Sequence, residues 1–209
     1  MRTIFLGLAL LLFASCSKDP INNLTRAESN VYTTNRDTTV NFSVYKTYSI
    51  SDSMIIRRSD GLTYSSTSQD LAFINAFRQN MQSRGFTQVS RGANPDLGVQ
   101  LSLIISSNVG VIALPDIWGG WNPGIWGPFD PGWGWGMGPG WGWGGGFATY
   151  RVTTALMSTD MFDLRNANAN RALRVIWNGV IQGDEVYEPQ TANAQISQLF
   201  SQSPYLVSQ

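Results

Sequence analysis

Leu97-Gly98-Val99-Gln100-Leu101-Ser102-Leu103-Ile104-Ile105-Ser106 decides the fold. Leu97, Val99, Leu101, Leu103 and Ile105 recur with a period of two, the side-chain alternation of a β-strand with one buried face. The other face carries Gly98, Gln100, Ser102 and Ile104. Asn94-Pro95-Asp96, just upstream, has the composition of a turn.

Further upstream the period changes. Leu71, Ile74, Phe77 and Met81 are spaced 3, 3 and 4 apart and share one helical face. Ser66 with Gln69 is a capping-box pattern, and Asp70 suits the positive helix N-terminus. Gly85 is a natural residue to follow the last turn. Core packing is the simpler use of this stripe, and filling a partner's groove is the other. Before the helix, Val31 to Thr34 and Tyr45 to Ile50 are strand-prone, while Ser59 to Ser68 reads as a polar loop.

Downstream, Phe147 to Asp163 and Leu173 to Ile181 read as strands joined by a turn at Asn168 to Arg171. Val175, Trp177 and Gly179 are expected to face one way. Thr191 to Ser203 is a second helix with Ile196, Leu199 and Phe200 on one face, ended by Pro204. Strands clustered in sequence favour antiparallel pairing. The expectation is therefore α+β: a mainly antiparallel sheet with two amphipathic helices on one face and a long Gly/Trp-rich loop insertion.

That insertion, Pro115 to Phe147, separates two long strands. It holds seven of the chain's eight tryptophans: Trp118, Trp121, Trp126, Trp133, Trp135, Trp141 and Trp143. Gly alternates with Trp over Gly132 to Gly136 and again over Gly140 to Gly144, while five prolines interrupt regular structure. A low-complexity insertion with no single partner is the plain reading. The sharper ones use the indole, which has an apolar body and one N–H donor. It suits a membrane interface, and its faces stack on sugar rings, so these tryptophans are the candidate ligand or membrane contacts. Self-association through exposed indoles is a third use.

The N-terminus sets the compartment. Arg2 precedes an apolar run of 11 residues, Ile4 to Ala14, which is too short to span a bilayer and right for a signal peptide. Phe13-Ala14-Ser15-Cys16 then resembles the lipobox of bacterial lipoproteins, with small residues before a Cys. An ordinary secretory leader with a chance Cys is the competing reading. In the lipoprotein reading Cys16 carries a diacylglycerol thioether and its amino group is acylated, and two or more chains anchor stably. Ser17 stands where an Asp would favour retention at the inner membrane, so the outer membrane is expected, with its periplasmic and surface faces both open. The organisation is then 1–15 signal peptide, 16–29 lipidated Cys and tether, 30–203 one α+β domain with 115–147 inserted, and 204–209 a C-terminal tail. A flexible tether from Ser17 to Glu28 reaches about 20 Å.

Composition narrows the chemistry. Lys plus Arg and Asp plus Glu are both 14, and loss of Arg2 with the leader leaves the mature chain one unit negative. Without basic runs there is no footprint for nucleic acid. The chain has no His and one Cys, so His-based triads, Cys-His pairs, an internal disulfide and His/Cys zinc sites are all excluded. The glycines lack the Gly-Lys-Ser/Thr ending of a phosphate loop. Asp160 and Asp163, three apart in a strand, fall on opposite faces. Asp184 and Glu185 beside Gly183 have turn composition. No cofactor, metal or catalytic residue is expected, and the chain reads as non-enzymatic. A hydrolase acting through acids alone ranks last.

The order of short motifs adds a resemblance. Asn41-Phe42-Ser43-Val44-Tyr45-Lys46-Thr47-Tyr48, Arg84-Gly85-Phe86, Pro95-Asp96-Leu97-Gly98-Val99, Ser158-Thr159-Asp160 to Asp163, and Val175-Ile176-Trp177-Asn178-Gly179 follow one another as in the bacterial envelope lipoproteins of the family called domain of unknown function 4136. The resemblance runs from about Asn30 to Phe200. It implies an α+β fold on a lipid anchor, with a variable insertion before the fourth motif, and brings no activity or catalytic residues. The strand opening at Tyr150-Arg151 departs from it by lacking a Gly-Thr step. The function implied is an envelope structural or interaction module, partnered by the membrane through Cys16 and by an envelope glycan or protein. A glycan- or membrane-surface-binding module built on the Trp loop is the alternative.

Overall fold

The computed structural model describes residues 30–58, 60–105, 110–113, 149–152, 155–165, 167, 174–183 and 186–209. The leader, Cys16, its tether, the acids Asp184 and Glu185, the turn at 168–171 and all seven tryptophans of the insertion lie outside these residues.

The alternating stretch is strand β6, Leu97–Ile105, at the centre of the main sheet. It pairs antiparallel with β9, Ala155–Asp163, at every position from Leu97↔Asp163 to Ile105↔Ala155. β9 pairs antiparallel with β10, Arg174–Gln182, and β10 with the edge strand β1, Val31–Arg36. On its other side β6 pairs parallel with β2, Thr47–Ile50, and further along with β3, Met54–Arg58. β5, Thr87–Gln88, runs parallel beside β2, and β4, Gly61–Ser65, folds back on β3. A separate ladder joins β7, Gly110–Ala113, to β8, Thr149–Val152.

The sheet is thus mixed, which corrects the expectation of a mainly antiparallel one. The chain passes from β2 to β6 through helix α1, Ser68–Ser83, and returns in its starting direction. A crossover of that kind makes parallel neighbours, whereas hairpins make antiparallel ones. The polar loop expected over Ser59 to Ser68 is also corrected, because β4 occupies its middle half. Gly61, at φ +148°, allows the tight reversal that pairs it with Arg58.

α1 buries Ile74, Phe77 and Met81 of the expected stripe, with Phe73 and Ala76 beside them, while Leu71 is only partly buried. Its capping box lies one residue later than expected. Thr67 Oγ1 accepts from the Asp70 N–H, and Asp70 Oδ2 accepts from the Thr67 N–H at 2.7 Å. Gly85 follows at φ +86°. Helix α2, Ala192–Ser201, buries Ile196, Leu199 and Phe200. Both helices cover one sheet face, as the sequence suggests. There Leu97, Val99, Leu101, Leu103, Met157, Met161, Trp177 and Ile181 join the helix stripes in one core. The Trp177 ring lies 6.4 Å from Phe77 and 6.0 Å from Phe200. Each large side chain buried this way stabilises the fold by about 1.5–3 kcal/mol.

Val175 does not share the face of Trp177. A bulge between them puts Val175 opposite Phe162 and Trp177 opposite Met161. The turn-prone tail is also built in: Leu206 is fully buried in the core, and the Ser208 N–H donates to Arg84 O at 2.9 Å.

Candidate functional site

Two groups of polar side chains carry most of the chain's distinctive residues. One lies at the end of the sheet where β2, β6 and β9 meet. Asn41 Oδ1 accepts from the Ser43 N–H at 3.1 Å and starts a single helical turn over Phe42–Val44. That turn buries Phe42 and Tyr45. The Lys46 and Thr47 N–H groups donate to Asp96 Oδ2 at 2.7 and 3.0 Å, and the Asp96 N–H donates to Thr47 Oγ1 at 3.0 Å. The Asp of the Pro-Asp motif thereby clamps the start of β2 to the start of β6. Arg165 donates to Val44 O at 2.6 Å, sits 3.5 Å from Asp96 Oδ1 and lies over the Tyr45 ring.

Electrostatics at this end are those of a joint. Burial, and then the nearby negative Asp163, push the Tyr45 hydroxyl far above its ordinary range, so it stays protonated and hydrogen-bonded to Asp163. Asp37 pairs with Arg174 and accepts from the Thr39 N–H at 2.9 Å and its hydroxyl at 2.7 Å. Burial pushes the Asp37 carboxyl up, but the Thr39 bonds and Arg174 together hold it below the usual value. A third joint sits at the start of α1. There Asp70 accepts from Ser65 Oγ at 2.6 Å, from Thr67 and from the Tyr187 hydroxyl.

The other group lies on the sheet face opposite the helices. Strand register sets Asn35, Asn178, Asp160 and Gln100 side by side across β1, β10, β9 and β6, with Ser158 and Ser102 paired in the next row. Gln100, Ser158 and Asn178 are fully buried and Asp160 and Ser102 nearly so. Asn178 Nδ2 donates to Asp160 Oδ1 at 2.7 Å and to Ser158 Oγ at 3.0 Å. Gln100 Nε2 donates to Leu101 O at 2.7 Å and Ser53 O at 3.1 Å. Among the described residues nothing donates to Asn178 Oδ1 or Gln100 Oε1. Ile55, Ile104, Leu156, Phe162 and Val180 surround the row, also buried and separate from the main core. Both faces of β6 are therefore closed to solvent, where the alternation suggested only one.

This polar row escaped the sequence reading. Its signal was the off-phase of three alternating strands, Gln100, Asp160 and Asn178, which becomes a row only once the register is known. Asp160 and Asp163 do point to opposite faces, as expected, so they do not flank a common bond. Among the described residues no group of three or more His, Cys, Asp or Glu side chains could hold a metal ion. No described helix is long and apolar enough to cross a membrane. The expected lipidation site Cys16 and the contact candidates Trp118, Trp121, Trp126, Trp133, Trp135, Trp141 and Trp143 lie outside the described residues.

Comparison with known proteins gives a consistent frame. A family model described as Domain of unknown function (DUF4136) matches residues 32–205. A crystal structure of a DUF4136 family protein from Bacteroides thetaiotaomicron is 25% identical, with a TM-score of 0.61 over 86% of this chain and 98% of that one. A PDZ domain protein from Parabacteroides distasonis is 12% identical, with a TM-score of 0.44 over 84% of this chain and 36% of that one, too loose a likeness to support any argument. No curated protein matches.

Proposed function

The chain belongs to the DUF4136 family, and on that premise we propose that it is a non-enzymatic cell-envelope lipoprotein, a structural or interaction module held to the outer membrane through Cys16. The observation that carries the reading is the use made of the family-like motifs. Asp96 clamps two strand starts, Tyr45 and Asp163 bond to each other, and Trp177 fills the core between both helices. Side chains spent on joints build a scaffold. The leader and lipobox supply the compartment, and conversion of the Cys16 thiol to a diacylglycerol thioether removes the only thiol from chemistry.

Mass spectrometry of the native protein tests the anchor: a chain starting at residue 16 with acyl mass is expected, and an uncut leader or unmodified Cys16 rejects it. Turnover of an envelope substrate that depends on one carboxylate would reject the non-enzymatic part.

The density of tryptophan favours a second reading, a glycan- or membrane-surface-binding module that uses Trp118, Trp121, Trp126, Trp133, Trp135, Trp141 and Trp143. Deleting 115–147 should then abolish retention on peptidoglycan, surface polysaccharide or lipid vesicles while the domain stays folded. Unchanged retention rejects it. Pull-down of the acylated protein from its own envelope, with and without the insertion, separates a protein partner from both.

A further inference from the structure

We propose that Ser203–Ser208 is a closing strap, the last part of the domain to lock, and that the chain stays open until this segment is in place. Four distant regions meet on these few residues. Trp177 Nε1 on β10 donates to Ser203 Oγ at 2.9 Å. Arg84, at the end of α1, donates to Phe200 O at 2.8 Å, Ser203 O at 3.2 Å and Leu206 O at 3.4 Å. One guanidinium thus adds a charged donor to Phe200 O and Ser203 O, which already accept from the Ser203 and Leu206 N–H groups, and reaches Leu206 O beyond the C-terminal end of α2, where positive charge is favoured. Tyr205 stacks under the Arg36 guanidinium at 4.0 Å and packs 5.5 Å from the Phe42 ring. Leu206 is fully buried, and Ser208 returns to α1 through its N–H to Arg84 O. The strap lies so close to Gly85 that a Cβ there would sit 3.1 Å from Ser208 O.

The order of the chain gives this geometry its consequence. β1 pairs only with β10 within the main sheet, and Arg36 and Phe42 meet Tyr205 from more than a hundred and sixty residues away. Without the strap, Trp177 keeps a buried N–H with no acceptor, Arg84 loses the Ser203 and Leu206 carbonyls and Leu206 leaves a hole in the core. On the export reading, a chain threaded through a secretory channel needs to stay unfolded until it has crossed. A domain whose N-terminal strand and signature turn are fastened by residues 203–208 meets that need without help. This last step rests on the export reading, whereas the strap itself rests on the contacts alone.

Two measurements test it. Ribosome-arrested chains exposing residues up to 202 or up to 209, each followed by the same unstructured linker, are pulsed with protease. The shorter chain should show a resistant fraction at least about tenfold lower, since resistance tracks the folded population. Equal resistance overturns the proposal. In the purified full chain, Arg84→Met and Tyr205→Leu should each speed unfolding about tenfold and leave the folding rate within about twofold, the mark of contacts formed after the transition state. Slowed folding with unchanged unfolding would mean that the segment forms early, which also overturns it. Neither measurement involves Cys16, so their failure leaves the anchor to be judged by mass alone.

Discussion

Gly179→Ala is a one-carbon change with a calculable effect. A Cβ at Gly179 would sit 2.6 Å from Trp177 Cη2, 2.9 Å from Leu199 Cδ1 and 3.2 Å from Trp177 Cζ2. Real carbon contacts do not approach so closely, so something must move. Leu199 can rotate at its tip. Trp177 is fully buried, and its indole is held by the Ser203 bond and by the Phe77 and Phe200 rings. Overpacking at such a site costs about 1–3 kcal/mol. For a domain of this size about 2–4 °C of melting temperature is lost per kcal/mol, so Tm should fall by about 2–12 °C. Thermal unfolding followed by circular dichroism measures this on the full chain. Leu199→Ala in the same background relieves one of the two clashes, so the double variant should be more stable than the sum of the single losses by at least about 0.5 kcal/mol. A Tm within about 1 °C of wild type, or strict additivity, refutes the claim that β10 needs a glycine under the indole.

Asp96→Ala should cost about 1–3 kcal/mol in urea unfolding, because it removes the carboxylate that accepts from the solvent-exposed Lys46 N–H and the half-buried Thr47 N–H. Thr67→Ala removes the helix cap and should cost about 1 kcal/mol by the same assay. Acid should weaken the fold through Asp70. Burial raises that carboxyl, but the bonds from Ser65, Tyr187 and Thr67 outweigh it and hold it below the usual carboxylate range. Its contribution is therefore present above the unfolded pKa and lost as pH falls through the lower folded one, and Asp70→Asn should flatten that limb of the stability curve. Tyr187 behaves oppositely. Burial, and then its bond to Asp70, push it up to about 12, so its contribution is complete below pH 10.0 and lost as pH climbs through about 12. Tyr187→Phe should remove that alkaline limb.

Some of this architecture is written in short-range pattern. β6, α1, β10 and α2 were legible because each buries a periodic stripe, and periodicity is a local property. β3 was missed because Met54–Arg58 is short and ends in two arginines, and β4 because its hydroxyl-rich letters look like a loop until an edge strand is needed beside β3. The parallel course of β2, β3 and β6 depends on where α1 crosses, which no single segment encodes. The bulge before Trp177 inverted Val175 for the same reason, since one extra residue shifts every later side chain to the other face. The functional signals behaved differently. The motifs were visible in order, but that Asp96 clamps Lys46 and Thr47 could be known only from the fold. The polar row of Gln100, Asp160 and Asn178 needed three strands in register. The lipobox and the tryptophans were legible as composition and lie outside the described residues.

The ladder between β6 and β9 has an evolutionary consequence. It is paired to its last position, Ile105↔Ala155, before the chain departs toward the insertion. The main sheet ends at that rung and the separate β7–β8 ladder follows it, so a connection beyond both can change without touching the core. Lengthening a connection is cheap, at about 0.6 kcal/mol for each doubling. Lineages of this fold can therefore swap, trim or enlarge the stretch rich in glycine and tryptophan without renegotiating the core, and variation should concentrate there while the residues of the rungs stand still.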